Sequence, residues 1–126
     1  MEARVSKKAA QLRAKILASA LEYPGAHVDH PWGETVVKVN KKVFVFLGMD
    51  DDPKGMSVKL DDSNEQALSL PGSEPTGYGL GKAGWVSLTF LGADVPPIGV
   101  LRDWLDESYR RVAPKKLIAE LDARKG

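Results

Sequence analysis

The run from Pro31 to Asp61 limits the fold more than any other part of the chain. It reads PWGETVVKVNKKVFVFLG, then an acidic loop, then MSVKLD. Thr35 to Asn40 alternates: Thr35, Val37 and Val39 point one way and Val36, Lys38 and Asn40 the other, the period-two pattern of a half-buried strand. Val43 to Leu47 is apolar on both faces, which suits a central strand. Met56 to Asp61 alternates again, with Met56, Val58 and Leu60 inward and Ser57, Lys59 and Asp61 outward. Lys41-Lys42 is expected to fill a tight hairpin turn, and Asp50-Asp51-Asp52-Pro53-Lys54-Gly55 a longer one. Three strands so linked form a β-meander.

Helical periods flank the meander. Leu12, Ile16 and Ala20, with Leu17 and Leu21 alongside, make one apolar stripe over residues 6–22, with Ser6 as a cap and Pro24-Gly25 as a stop. Ser63 with Gln66 three residues on has the form of a capping box for a short helix ending near Leu70. Pro71 to Gly84 is a glycine-rich connector, and Trp85 to Leu91 alternates as a fourth strand, with Val86, Leu88 and Phe90 on one side and Trp85, Ser87 and Thr89 on the other. Pro97 suits the first turn of a third helix carried by Leu101, Leu105, Ser108 and Val112, on which Trp104 and Tyr109 read as core. Asp106 with Arg110 and Glu107 with Arg111 are spaced as i, i+4 pairs. Pro114 opens a last helix built on Leu117, Ile118 and Leu121. The expected order is α-β-β-β-α-β-α-α, an α+β fold with a four-stranded antiparallel sheet packed by helices, in one domain over residues 1–126.

Composition narrows the function classes. The chain has no cysteine, so disulfides and thiolate metal sites are excluded. No apolar run approaches the ~20 residues of a membrane span, and the first residues lack the apolar core of a signal peptide. The expectation is a cytoplasmic protein with no membrane partner. Net charge is +1, but it is unevenly spread. Residues 1–26 carry five basic and two acidic groups, residues 27–96 six and ten, and residues 97–126 seven and five. A strongly basic binder is excluded; a localised basic site is compatible.

Four constellations bear on chemistry. Gly79-Leu80-Gly81-Lys82-Ala83-Gly84 satisfies the spacing of a dinucleotide fingerprint, but it follows a proline-containing loop and opens a strand where the fingerprint must follow a strand and open a helix. The glycines instead permit the backbone angles of a tight approach to Trp85. His27, Asp29 and His30 are metal-type ligands, yet one loop supplies at most half a site and no metal or cofactor is expected. Lys38 and Lys59 point outward from strands that are candidate neighbours, and Lys82 precedes Trp85; lysines contact phosphates as point charges, and a solvated sheet face is the competing reading. Arg110, Arg111, Lys115 and Lys116 cluster at the junction of the last two helices, either as phosphate ligands or as partners of nearby carboxylates. No nucleophile–base pairing or catalytic motif is present, so no catalytic residue is assigned.

The chain resembles the MmcQ/YjbR family of small bacterial proteins. The likeness runs through Tyr23-Pro24-Gly25-Ala26, Pro31-Trp32-Gly33-Glu34, Val37-Lys38-Val39, Lys42-Val43-Phe44, the Lys59 strand, Tyr78…Lys82…Trp85-Val86, and Leu105…Ser108-Tyr109 with Val112. It implies a double-wing, frataxin-like arrangement and a non-enzymatic DNA-binding role. The expected DNA contacts are Lys38, Lys59 and Lys82 on the sheet, or Arg110, Arg111, Lys115 and Lys116 on the helices, with weak, largely sequence-independent binding. The alternative is a protein-interaction or small-ligand adaptor using a groove beside Trp32, Tyr78 and Trp85. Iron binding of the frataxin kind transfers poorly, since Asp50-Asp51-Asp52 falls in a loop.

Overall fold

The computed structural model describes residues 2–49, 54–77, 80–91 and 95–125. Its sheet has six strands, β1 (Ala26–Asp29), β2 (Glu34–Val39), β3 (Lys42–Met49), β4 (Gly55–Lys59), β5 (Glu74–Pro75) and β6 (Trp85–Thr89), in the order β1-β2-β3-β4-β6-β5. Every neighbouring pair is antiparallel. The helices are α1 (Glu2–Leu21), α2 (Asn64–Leu68), α3 (Ile98–Val112) and α4 (Lys115–Lys125), and 3-10 turns cover Pro31–Gly33 and Leu80–Ala83.

The α+β class holds, but the sheet exceeds the expected four strands by one at each edge. β1 lacks the alternation of a half-buried strand: three of its four residues are exposed, including Val28. β5 is two exposed residues, one of them Pro75, which an edge strand tolerates because one side of its backbone needs no partner. The first hairpin turn is Asn40-Lys41, one residue earlier than expected, because Val39 pairs with Lys42. Asn40 takes a φ of 56°, a left-handed conformation that asparagine tolerates better than lysine. α1 begins at Glu2, so Ser6 lies inside the helix and does not cap it.

One face of the sheet carries the core. Ala9, Ile16 and Ala20 of α1 and Leu101, Trp104, Leu105 and Tyr109 of α3 pack with Val37, Val39, Phe44, Val45, Leu47, Met56, Val58, Val86 and Leu88 of the strands. The helical stripe of α1 is thus rotated slightly toward Ala9, and Leu21 is exposed. Tyr23, Phe44 and Tyr109 form an aromatic knot with ring centroids 4.6 to 6.0 Å apart, and Tyr109 donates its hydroxyl proton to Pro24 O at 2.7 Å. The opposite face is defined by the row Val36, Phe46, Ser57 and Ser87, which are partners across four strands. Lys59 and its partner Trp85 lie two residues further along on that same face.

Among the described residues the β3–β4 ladder has two paired positions, Val45 with Val58 and Phe46 with Ser57. Where the next pair would be Phe44 with Lys59, the buried Ser108 of α3 intervenes. Its Oγ donates to Phe44 O at 2.5 Å and accepts from the Lys59 N–H at 2.8 Å. A helix side chain therefore completes the backbone hydrogen bonding of two strands that have parted.

Candidate nucleic-acid interface

Strand register decides where the cations meet. β1 starts, β2 ends, β3 starts, β4 ends and β6 starts at one end of the sheet, as the pairs Ala26 with Val39, Val39 with Lys42, and Lys59 with Trp85 require. Lys38, Lys59 and the Leu80–Ala83 turn bearing Lys82 all lie toward this end. Lys38 and Lys59 share a face but are not on neighbouring strands: β3 separates them, so their backbones are roughly 9–10 Å apart. The C-terminal half of α3 reaches the same end through Ser108, and α4 follows it there.

The cations differ in whether their charge is available. Lys38 Nζ is 2.8 Å from Asp29 Oδ2, a diagonal pair across β1 and β2. That hydrogen bond, with the His30 N–H on the other carboxylate oxygen, holds Asp29 below its ordinary pKa. Arg110 is held twice, by Asp106 at 2.7 Å as expected from spacing and by Asp122 of α4 at 2.8 Å. These bonds, Asp122 first, raise its pKa still further, so it is a fixed structural cation. Asp106 also accepts the Tyr23 hydroxyl at 2.9 Å, and burial together with this carboxylate pushes the phenol pKa up.

Arg111 pairs with Asp61 at 3.3 Å, and not with Glu107 as the spacing predicted. Glu107 instead turns to the segment between β4 and α2. It accepts the Asp61 N–H at 2.7 Å, the Ser63 N–H at 3.1 Å and the Ser63 hydroxyl at 2.7 Å. Ser63 is the N-cap residue of α2, but its side chain makes no cap bond, so the expected box with Gln66 is replaced by a carboxylate from another helix. Burial pushes the Glu107 carboxyl up, yet the three hydrogen bonds and Arg111 outweigh it and leave the pKa below the ordinary value. Lys59, Lys82, Lys115 and Lys116 form no ion pair among the described residues. Lys82, Lys115 and Lys116 are exposed and Lys59 is half-buried.

The remaining sequence candidates separate clearly. His27 lies on β1, His30 shares its Nδ1 with the Thr35 hydroxyl at 3.3 Å, and Asp29 is committed to Lys38. No group of three or more His, Cys, Asp or Glu that suits a metal ion exists among the described residues. The glycine-rich segment runs from β5 through a 3-10 turn into β6. Gly84, at φ 100°, has room for no side chain, since a Cβ would lie 2.7 Å from Leu60 O. Trp85 is only 8% exposed and packs edge-on against Phe46 with centroids 5.1 Å apart, so it offers little surface to a partner. Trp32 lies in the Pro31–Gly33 turn, and Tyr78 falls outside the described residues.

Two further lysines belong to the picture. Lys41 and Lys42, read in sequence only as turn formers, are exposed at the same end of the sheet. Two adjacent cations at a hairpin tip were the available signal, since a tip projects beyond the sheet and its side chains meet few carboxylates. No curated protein matches the chain. The family model described as YjbR matches residues 21–111, well over half of the sequence, and the chain belongs to the YjbR family.

Proposed function

We propose that this protein is a non-enzymatic DNA-binding module that contacts phosphates from the end of the sheet where β2, β4 and β6 meet α3 and α4. The reading takes residues 1–126 as one cytoplasmic domain, with β2, β3, β4 and β6 as a double-wing core and β1 and β5 as additions at its edges. What supports it best is the gathering of Lys38, Lys59, Lys82, Arg110, Arg111, Lys115 and Lys116, distant in sequence, toward one end of the molecule. Membership of the YjbR family is in keeping with it. Since Lys38, Arg110 and Arg111 are already ion-paired, the free charge is carried by Lys59, Lys82, Lys115 and Lys116, which favours weak, sequence-independent binding.

The test is a fluorescence anisotropy titration of labelled duplex and single-stranded DNA at several salt concentrations. Release of counterions from even three phosphates gives a slope of about −2.7 in log affinity against log salt for duplex DNA. No anisotropy change at low salt, or a flat salt response, removes the proposal.

A second reading, a small-ligand or protein adaptor, is favoured by a groove of about 450 Å³ lined by Phe46, Ser57, Ser87, Glu34 and Glu74. Ser57, Ser87 and Thr76 link their hydroxyls at 2.8 and 3.0 Å on this side of the sheet. A pull-down that survives loss of the lysines and depends on Phe46 would favour it.

A further inference from the structure

We infer that the phosphate contacts are made chiefly by four lysines at one corner: Lys41 and Lys42 on the β2–β3 hairpin tip, and Lys115 and Lys116 at the start of α4. The inference rests on the DNA-binding reading and names the part of the surface that performs it. Two observations bring these residues together. A Cβ placed on Gly25 would lie 2.9 Å from Leu117 Cδ1 and 3.7 Å from Val39 Cγ2, so the first turn of α4 and the end of β2 close on the same backbone point. Leu117 follows Lys115 and Lys116 directly, and Val39 pairs with Lys42 across a two-residue turn. Hairpin tip and helix start are therefore adjacent, although more than seventy positions separate them in sequence.

Charge distinguishes this corner from the rest of the end. All four lysines are exposed, and none forms an ion pair among the described residues. Asp61 pairs with Arg111, and Glu120, one turn beyond Lys116, makes no bridge to it. Lys82, by contrast, shares its groove with Asp61, Asp62 and Glu65 as well as Arg111. A phosphate approaching Lys82 meets three neighbouring acids, whereas the four corner lysines hold no carboxylate among the described residues. Like charges on two separate elements repel each other when unoccupied, and a polyanion lying across both relieves that repulsion.

The experiment compares the salt slope of duplex binding for the unaltered protein, Lys41→Ala/Lys42→Ala, Lys115→Ala/Lys116→Ala and Lys59→Ala/Lys82→Ala. All six substitutions are at lysines outside the core, and circular dichroism verifies the fold of each variant. Each corner pair is expected to lower the slope by about two, near one for every phosphate that is no longer neutralised, and the Lys59/Lys82 pair by less than one. If the Lys59/Lys82 pair removes the larger share, the corner assignment is overturned while the DNA reading stands. If the unaltered protein binds no duplex at low salt, both are overturned. Binding to anionic vesicles in place of duplex overturns both as well and assigns the corner to lipid headgroups.

Discussion

Ser108 and Glu107, adjacent on α3, perform opposite kinds of work for the backbone. Ser108 is fully buried and joins β3 to β4 by supplying both a donor and an acceptor where the ladder has opened. A hydroxyl is the smallest side chain able to do this, because it gives one proton and accepts another from the same atom. Ser108→Ala strands Phe44 O and the Lys59 N–H in the interior, and a buried polar group left without a partner costs about 1–3 kcal/mol. Urea unfolding is expected to show a loss in that range. Ser57→Ala is the comparison, since the Ser57 hydroxyl is only partly buried and bonds to Ser87 on the opposite face; its loss is expected below about 1 kcal/mol. Equal losses from the two variants would mean that Ser108 matters by volume alone. In sequence Ser108 is visible only as a polar residue on an apolar seam. The partners that explain it lie 64 and 49 positions away, beyond the reach of any local pattern.

At the level of elements, the legible parts were those whose side chains alternate or recur against a core. β2, β3, β4 and β6 and the helices α1, α3 and α4 follow from such patterns, to within a few residues at their ends, while α2 was placed by a capping box that the structure replaces with Glu107. β1 and β5 were not legible, because edge strands in water need no apolar face and carry no period. Pairs on one helix were half legible: Asp106 with Arg110 is as spaced, while Glu107 and Arg111 each choose a partner near the start of α2. Glu107 goes to the Asp61 and Ser63 N–H groups and Arg111 to the Asp61 carboxylate, partners that only folding brings within reach. This pairing also gives α3 an acid-sensitive link to the β4–α2 segment. The Glu107 pKa is lower in the folded chain than in the unfolded one, so its contribution is complete above the unfolded value of about 4.3 and is lost as pH falls through the folded value. Glu107→Gln is expected to cost about 1–2 kcal/mol near pH 7, at the lower end for charge-assisted bonds because the carboxylate is partly in water. Below roughly pH 4 the stability difference from the unaltered protein should shrink as that carboxylate protonates. A difference that stays constant from pH 7 to pH 3 would show that the charge plays no part.

Across the whole molecule, a net charge of +1 conceals a polar arrangement along the strands. Lys38, Lys41, Lys42, Lys59 and Lys82 lie toward one end of the sheet, while Glu34 begins β2 at the other, where Lys54 precedes β4. Sequence segments hide this because the lysines come from β2, the β2–β3 turn, β3, β4 and the turn before β6, and antiparallel pairing brings those positions to one end. Asp29, which ends β1 opposite Val36, reaches back toward the lysine end to hold Lys38. In Asp29→Asn that lysine is released and the corner field gains one unit of positive charge. Duplex affinity at low salt should rise, and the slope of log affinity against log salt should steepen by up to about one if Lys38 reaches a phosphate. Thermal stability should hardly change, because an exposed pair contributes little to folding. A stronger binder of unchanged Tm does not come from repaired folding, and the steeper salt slope separates released lysine charge from a neutral asparagine–phosphate hydrogen bond. Both changes follow only if the availability of lysine charge at this end limits the interaction, and an unaltered affinity would show that it does not.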